Sequence, residues 1–366
     1  MKHLFYLALS IILVSCATAS KTITITNTAN FDREKEMVEV KLSDLGTAAK
    51  KSFILVNEAN AEVPYQIIDN EILIFQAGVK ANKTSNYSIK PGTPAEVKAL
   101  VSARHVPERL DDFAWENDLA AYRMYGPALA SQNPSNGVDL WLKRTNELIV
   151  DKFYHDELVN KKSYHVDHGL GLDCYKVGAA LGAGGIAPYV DGKLLIGKHY
   201  DKFEVLMNGP LRAEFKLTYN AFVTGQQSQK KSIIIRTEAG SLLNKAIVRY
   251  EGNNAQQLAG GIFLHDGKGI LKQAENFIAY AEYAVSDAGI PSGRNYVGVL
   301  IPQAGNAFAN DGTHAMIINN YAPNTDFVYY FGGGWSKWGF ATDEDWFNAM
   351  EKFDAALKNP LQVKVK

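Results

Sequence analysis

The chain has 366 residues, 46% of them hydrophobic and 11% aromatic, so it can bury a large core and has length enough for two domains. Its 38 basic and 39 acidic residues leave a formal charge of -1, which excludes the basic field that a nucleic-acid partner requires. Only two cysteines occur, Cys16 and Cys174, too few for a disulfide framework.

The N-terminus opens with Lys2 and His3 and continues as an apolar run over residues 4–14. That run is too short to cross a membrane as a stable helix. It ends in Leu13-Val14-Ser15-Cys16, the pattern of a lipobox, in which small residues precede the cut and a cysteine thiol carries the lipid. Residues 1–15 therefore read as a signal peptide, Cys16 as the lipid-bearing first residue of the mature protein, and residues 16–21 as a tether. The tether carries no acidic run, so the expected location is the periplasm, on a membrane anchor. With Cys16 so committed, Cys174 has no partner for a disulfide.

From residue 22 to residue 92 apolar and polar residues alternate in short runs, as in Ile23 with Ile25 and Val38 with Val40 and Leu42. A period of two over short runs means half-buried strands. The breaks fall at turn-forming stretches such as Asn57-Glu58-Ala59-Asn60, which predicts a small antiparallel β-sandwich. Lys90-Pro91-Gly92-Thr93-Pro94 then reads as a domain boundary. From residue 96 onward strand-like runs recur at 138–144, 203–207, 211–219, 232–237, 246–251, 261–265, 277–283, 296–301, 314–319 and 326–331, almost all divided by Gly, Asn or Asp. So many strands without helical patterns between them predict one large antiparallel sandwich, and the fold class is all-β. The exception lies at the C-terminus, where Trp346, Met350, Phe353 and Leu357 fall at helical spacing between Thr342-Asp343 and Asn359-Pro360.

Polar residues suited to a ligand gather in four places. The first holds Arg104, Asp112, Trp115, Glu116, Tyr122, Arg123 and Tyr125, a mixture of charges and rings that suits a sugar. In the second, Tyr164-His165-Val166-Asp167-His168 leads to Asp173, and flanking glycines favour a loop that turns both histidines to one ligand. The third is Lys198-His199-Tyr200, a base or acid beside a phenol. The last pairs His265-Asp266 with the glycine-flanked Trp335 and Trp338, which read as an exposed stacking platform. Neither a Gly-x-Ser-x-Gly elbow nor a phosphate-binding loop occurs.

Several of these blocks resemble one family. They are Phe31-Asp32-Arg33, Phe113-Ala114-Trp115-Glu116-Asn117-Asp118, Ala121-Tyr122-Arg123-Met124-Tyr125-Gly126-Pro127, Asp167-His168-Gly169 and Gly171-Leu172-Asp173 with Tyr175-Lys176-Val177-Gly178. Together they are similar to domain-of-unknown-function family 4861. The resemblance implies an exported protein of polysaccharide utilisation, with one branch acting as an oligosaccharide dehydratase on ulvan-type, uronic-acid-containing polysaccharide. Val205-Leu206-Met207-Asn208-Gly209-Pro210-Leu211-Arg212-Ala213 also looks like a strand pair of the galactose-mutarotase-like supersandwich.

The expectation is thus an enzyme that eliminates water or a sugar from a uronic-acid residue at the non-reducing end of an oligosaccharide. Elimination removes the C5 proton, so the site needs a cation on the carboxylate, a base near C5 and an acid at the leaving oxygen. Candidates are Arg104, Arg123 or Lys143 for the cation, His168 or His165 for the base, and Tyr200 or Tyr164 for the acid, with His199 beside them. Trp115, Glu116, Asp173, His265, Trp335 and Trp338 are candidate sugar contacts. No cofactor is required; a divalent cation on His165, Asp167 and His168 is the alternative to arginine. A glycoside hydrolase using two of Glu116, Asp112 and Asp173 is the runner-up, and a non-catalytic glycan-binding lipoprotein the third reading.

Replacing the lipobox cysteine, Cys16→Ser, is expected to move the protein from the membrane to the soluble fraction of lysed cells. Retention on membranes would refute the anchor.

Overall fold

Alternation builds strands first at the N-terminus: β1 (Thr22–Thr26), β2 (Arg33–Lys41), β3 (Phe53–Asn57), β4 (Tyr65–Ile68), β5 (Ile72–Val79) and β6 (Thr84–Pro91), with a single helical turn α1 (Leu42–Leu45) after β2. The computed structural model describes residues 21–366 apart from 47–48, 50–51, 132–136, 225–226 and 253–255, with the backbone alone at 222–224 and 227–229. The lipobox and Cys16 lie outside the described residues. Two small sheets, β1-β6-β3 and β2-β5-β4, close face to face over Ile23, Ile25, Val38, Val40, Leu55, Leu73 and Phe75.

A further strand joins this small sandwich from the far end of the sequence. Residues Gln362–Val365 pair antiparallel with β1, setting Ile23 opposite Val365 and Ile25 opposite Val363. The sequence reading assigns everything after residue 96 to the large sandwich, and so misses this return. Four residues of alternating Val and polar character after a helix say nothing about which sheet they join.

The large sandwich begins with β7 (Val101–Val106), β8 (Asp112–Asn117), β9 (Ala120–Met124), β10 (Asp139–Lys143), helix α2 (Val150–Leu158) and β11 (Gly171–Asp173). It continues as β12 (Ala183–Val190), β13 (Lys193–Leu194), β14 (Tyr200–Asn208), β15 (Arg212–Tyr219), β16 (Phe222–Thr224), β17 (Gln227–Glu238), β18 (Asn244–Glu251), β19 (Gln257–Phe263), β20 (Ile270–Ala274), β21 (Phe277–Val285), β22 (Pro291–Leu300), β23 (Ala307–Asn310), β24 (His314–Asn320) and β25 (Phe327–Trp335). Three antiparallel sheets result, ordered β11-β10-β9-β8-β7, β13-β12-β19-β24-β23 and β14-β15-β17-β18-β25-β22-β21-β20. Both five-stranded sheets lie on one face of the long sheet. One continuous core holds Trp115, Tyr122 and Leu140 from the first, Ile186, Ile262 and Ile317 from the second, and Phe215, Ile235, Val299 and Phe331 from the third.

Helix α3 (Asp343–Lys358) covers the other face of the long sheet, as its apolar spacing predicts, packing Trp346, Phe347 and Met350 on Phe277, Tyr296 and Leu300. Its start is a capping box in which Thr342 and Asp345 satisfy each other's backbone N–H. Gly298 lets it approach, because a Cβ there would fall 2.5 Å from the Met350 sulfur. Arg33 of the small sandwich donates to the carbonyls of Asn359 (2.9 Å) and Ala356 (3.4 Å), so a cation meets the negative end of the helix.

The other helix, α2, escapes sequence reading for an identifiable reason. Its N-cap Ile149 has no capping side chain. The Glu116 carboxylate, reaching across from β8, accepts from the backbone N–H of Ile149 (2.8 Å) and Val150 (2.8 Å) instead. No local signature marks a helix whose cap is a remote residue.

Deleting residues 361–366 would expose the edge of β1 and remove Leu361, Val363 and Val365 from the small core. The expected cost is about 2 kcal/mol or more from lost apolar burial, read as a lower denaturation midpoint and as new protease cuts within residues 22–91. Unchanged stability and unchanged cleavage would show that the strand is dispensable.

Candidate functional site

Along β8 to β11 the side chains alternate, with Phe113, Trp115, Tyr122, Leu140, Leu142 and Leu172 turned into the main core. The opposite face carries Asp112, Glu116, Arg123, Asp139, Trp141, Lys143 and Asp173, all buried beneath α2 and the loop that bears Tyr164. Burying so many charges costs several kcal/mol per ion unless each finds a partner, and here each does. Lys143 donates to Glu116 (2.9 Å) and to the carbonyl of Asn117 (2.6 Å). Arg123 sits at the centre of the other group.

The Arg123 guanidinium donates to Asp139 (Nε, 2.9 Å), Asp173 (Nη2, 2.8 Å) and the Tyr164 hydroxyl (Nη1, 3.2 Å), and Asp112 lies 3.6 Å away. The rings of Tyr125 and Trp141 cover it, with centroids at 4.8 and 5.1 Å. Burial pushes the Asp112 carboxyl up to about 6, against the pull of Arg123 and Arg109. Burial also raises Asp173, reinforced by Asp139 and opposed by Arg123 and His165. The Tyr125 phenol is held far above its ordinary range by burial and by Asp139, so it stays protonated. Strand β11 reaches this cluster because Gly171 adopts φ +132°, in a spot where a Cβ would lie 1.9 Å from the Leu142 carbonyl.

Where the cluster meets solvent stands His165. Its Nδ1 lies 2.9 Å from the Asp173 carbonyl, 3.5 Å from the Asp173 carboxylate and 3.7 Å from that of Asp287. All three neighbours are acceptors, so Nδ1 carries the proton and Nε2 the lone pair. A third of the His165 side chain is exposed. Asp287 also pairs with Lys176 (3.3 Å), whose carbonyl accepts from His265 Nε2 (2.7 Å), while His265 Nδ1 meets Glu282 (2.7 Å). With an acceptor on each nitrogen His265 holds both protons; burial works against this, but the bonds to Glu282 and Lys176 carry its pKa upward. Tyr283, Val285 and Ile290 of the β21–β22 hairpin stand exposed on either side of Asp287.

Against this geometry several sequence expectations require correction. Arg123 and Lys143 are fully engaged by buried carboxylates, so neither is free to meet a substrate carboxylate. Glu116 is the anchor of α2 and Lys143. Trp115 is core, its indole donating to Asn244 (3.1 Å). Trp335 is also core, donating to the Ser292 carbonyl (2.6 Å), and only Trp338 of that pair is exposed. Arg104 lies over Tyr154 and pairs with Glu108 (2.9 Å) and Asp151 (2.5 Å), outside the Arg123 cluster. The Tyr200 hydroxyl is buried against the Asp111 carbonyl, and His199 beside it is buried too.

The two loop histidines part company. His168 is exposed and faces the Ser163 carbonyl (3.0 Å), at a recess of about 30 Å³ that has room for little more than a water. Asp167 pairs with Arg144 (3.0 Å). His165, Asp167 and His168 therefore do not converge, and among the described residues no three His, Cys, Asp or Glu side chains are placed to hold a metal. Asp139, Lys176, Glu282 and Asp287 escape sequence reading. Asp139 alone has a signal, being a carboxylate within Val138-Asp139-Leu140-Trp141-Leu142, where an unpaired charge could not be buried.

The chain belongs to the DUF4861 family, described as a domain of unknown function, which matches residues 25–363. It is 28% identical over 405 residues to a protein of Formosa agariphila named Uncharacterized protein P7, with all of both chains covered. Among solved structures it is similar to an alpha-mannosidase of Enterococcus faecalis (TM-score 0.45, 9% identity) and to an Enterococcus faecalis protein in glycosyl hydrolase family 38 (TM-score 0.46, 9% identity). Those matches cover 95% of this chain but 46% and 47% of the others, so the chain spans about half their length.

The raised Asp112 carboxyl gives a pH test. Because its folded pKa of about 6 lies above the ordinary carboxyl value of 3.8, its contribution to stability is fully present below pH 3.8 and is lost as pH rises through 6. The loss amounts to about 3 kcal/mol at 1.36 kcal/mol per unit. Asp112→Asn, which keeps an acceptor for Tyr154, is expected to flatten that fall in denaturation curves across pH 4 to 7. A variant with the wild-type slope would place the titration elsewhere.

Proposed function

We propose that this member of the DUF4861 family is a periplasmic lipoprotein enzyme of oligosaccharide breakdown. It eliminates water or a sugar from a uronic-acid residue at the non-reducing end. The observation that carries the reading is His165: an imidazole open to solvent, with its proton fixed on Nδ1 by Asp173 and its Nε2 left basic. In the elimination Nε2 takes the C5 proton, the C5–H electron pair forms the C4–C5 double bond, and the C4–O bond breaks. The leaving oxygen receives a proton, for which Tyr125 is the partly open phenol beside Arg123. Lys176, two-thirds exposed beside Asp287, supplies the positive charge for the uronate carboxylate, whose neutralisation makes C5 acidic.

Hydrolysis by paired carboxylates is less well supported. Glu116 is occupied by two backbone N–H groups and Lys143, while Asp112 and Asp173 are both buried against Arg123 rather than facing each other across an open cleft. The discriminating assay incubates the pure protein with uronic-acid oligosaccharides and follows product mass and enoate absorbance. Loss of water or an unsaturated product is expected, and His165→Ala should cost about two to four orders of magnitude in rate, the usual worth of a general base, with an unchanged circular-dichroism spectrum. A product that gains water, or binding without conversion, would overturn elimination.

A further inference from the structure

Away from His165, a recess of about 1080 Å³ runs between the small sandwich, the outer face of the long sheet and α3. That is at the upper end of the roughly 300–1,000 Å³ typical of ligand sites, which favour such interfaces. Its floor includes a cross-strand row, in which Arg236 on β17 stands opposite Lys245 on β18 and Lys245 opposite Tyr330 on β25. Phe353 of α3 packs edge-on to Tyr330 (5.6 Å), and Phe31 lines the groove from the small sandwich.

The charges along this groove divide into two sets. Glu36 pairs with Arg33, Glu39 and Glu238 pair with Arg212 (2.7 and 2.5 Å), and Arg236 pairs with Glu214 (2.6 Å). Lys35 on β2, Lys245 on β18 and Lys352 on α3 are different. Each lines the groove, and none has a carboxylate within 4.0 Å among the described residues; Glu34 is the one uncommitted acid to set against them. Lys245 stands directly across the strand pair from Arg236, whose own charge Glu214 takes up, so the lysine is left without a carboxylate partner of its own. Three separate elements thus direct unneutralised lysines to one recess that also presents tyrosine and phenylalanine rings.

We infer that the groove is a second glycan site, taking an acidic sugar chain whose carboxylates or sulfates lie on Lys35, Lys245 and Lys352 and whose ring stacks on Tyr330. It shares with the elimination reading only the acidic nature of the glycan, and it requires no chemistry. An extended chain held there is retained near the protein between turnovers.

The test is calorimetric titration of the full protein with tetragalacturonate at low salt, in a His165→Ala background so that ligand is not consumed. Wild-type groove residues should give binding that weakens as salt rises, and Lys245→Glu/Lys352→Glu and Tyr330→Ala should each raise Kd at least about tenfold. Neutral cellotetraose should bind at least about tenfold more weakly. Affinity unchanged in the double lysine variant, equal affinity for the neutral chain, or no binding at all would overturn the groove. Those results would leave elimination untouched, since that is judged by product formation with His165 intact.

Discussion

One buried guanidinium organises the outer face of the β7–β11 sheet. Arg123 projects from β9, and everything its charge requires must be brought to it: Asp139 from the next strand, Asp173 from the edge strand, Asp112 from β8, and the Tyr164 hydroxyl from the covering loop. Replacing such a group by apolar residues of equal volume often leaves a protein as stable or more so. Its value here is positional. The fork geometry of arginine admits carboxylates only in certain directions, so strand register and loop path are fixed together, and with them the segment that carries His165.

Positive and negative charge are deliberately unequal in this buried layer. Arg123 meets three carboxylates, and Arg109 approaches only one of them, at 3.9 Å. Burial, reinforced by the neighbouring Asp139 charge, raises the proton affinity of Asp173 and keeps the Tyr125 phenol protonated. The layer also orients His165 without an ordinary short ion pair, since the nearest acceptor to Nδ1 is a backbone carbonyl and the carboxylates stand at 3.5 and 3.7 Å. A carbonyl at Nδ1 fixes the tautomer and leaves Nε2 toward solvent. That combination suits a base that must gain a proton and then release it.

Local pattern made much of the scaffold legible, and long-range pairing hid the rest. Period-two alternation marks most of the strands, and the Trp346-Met350-Phe353-Leu357 stripe marks α3 with its cap. Helix α2 is hidden because its capping carboxylate lies more than thirty residues away, and the last strand because its partner is β1. At the site, sequence singles out Arg123, His165 and Asp173 separately, and the fold brings the three side by side. Sequence cannot tell a charge that faces solvent from one that faces another charge, so Arg123, Lys143 and Glu116 read as ligand contacts when they hold the structure together. Trp335 misleads in the same way, because glycines that flank a tryptophan look like an exposed loop when they in fact let a strand pack closely.

The two ends of the chain meet in the small sandwich, and this bears on the groove. One wall of that recess belongs to residues 31–39 and another to α3, segments some three hundred residues apart. Arg33 clasps the C-terminus of α3, and immediately beyond it the chain crosses to pair with β1, so both walls are tied to each other as well as to the long sheet. A recess between two domains joined by a single linker would open and close, and a ligand bound there would have to supply the ordering cost. Here the second crossing removes most of that freedom before any ligand arrives. The lysines of β2, β18 and α3 are therefore held at a nearly fixed separation, which lets unpaired cations select a ligand by the spacing of its anionic groups rather than by charge alone.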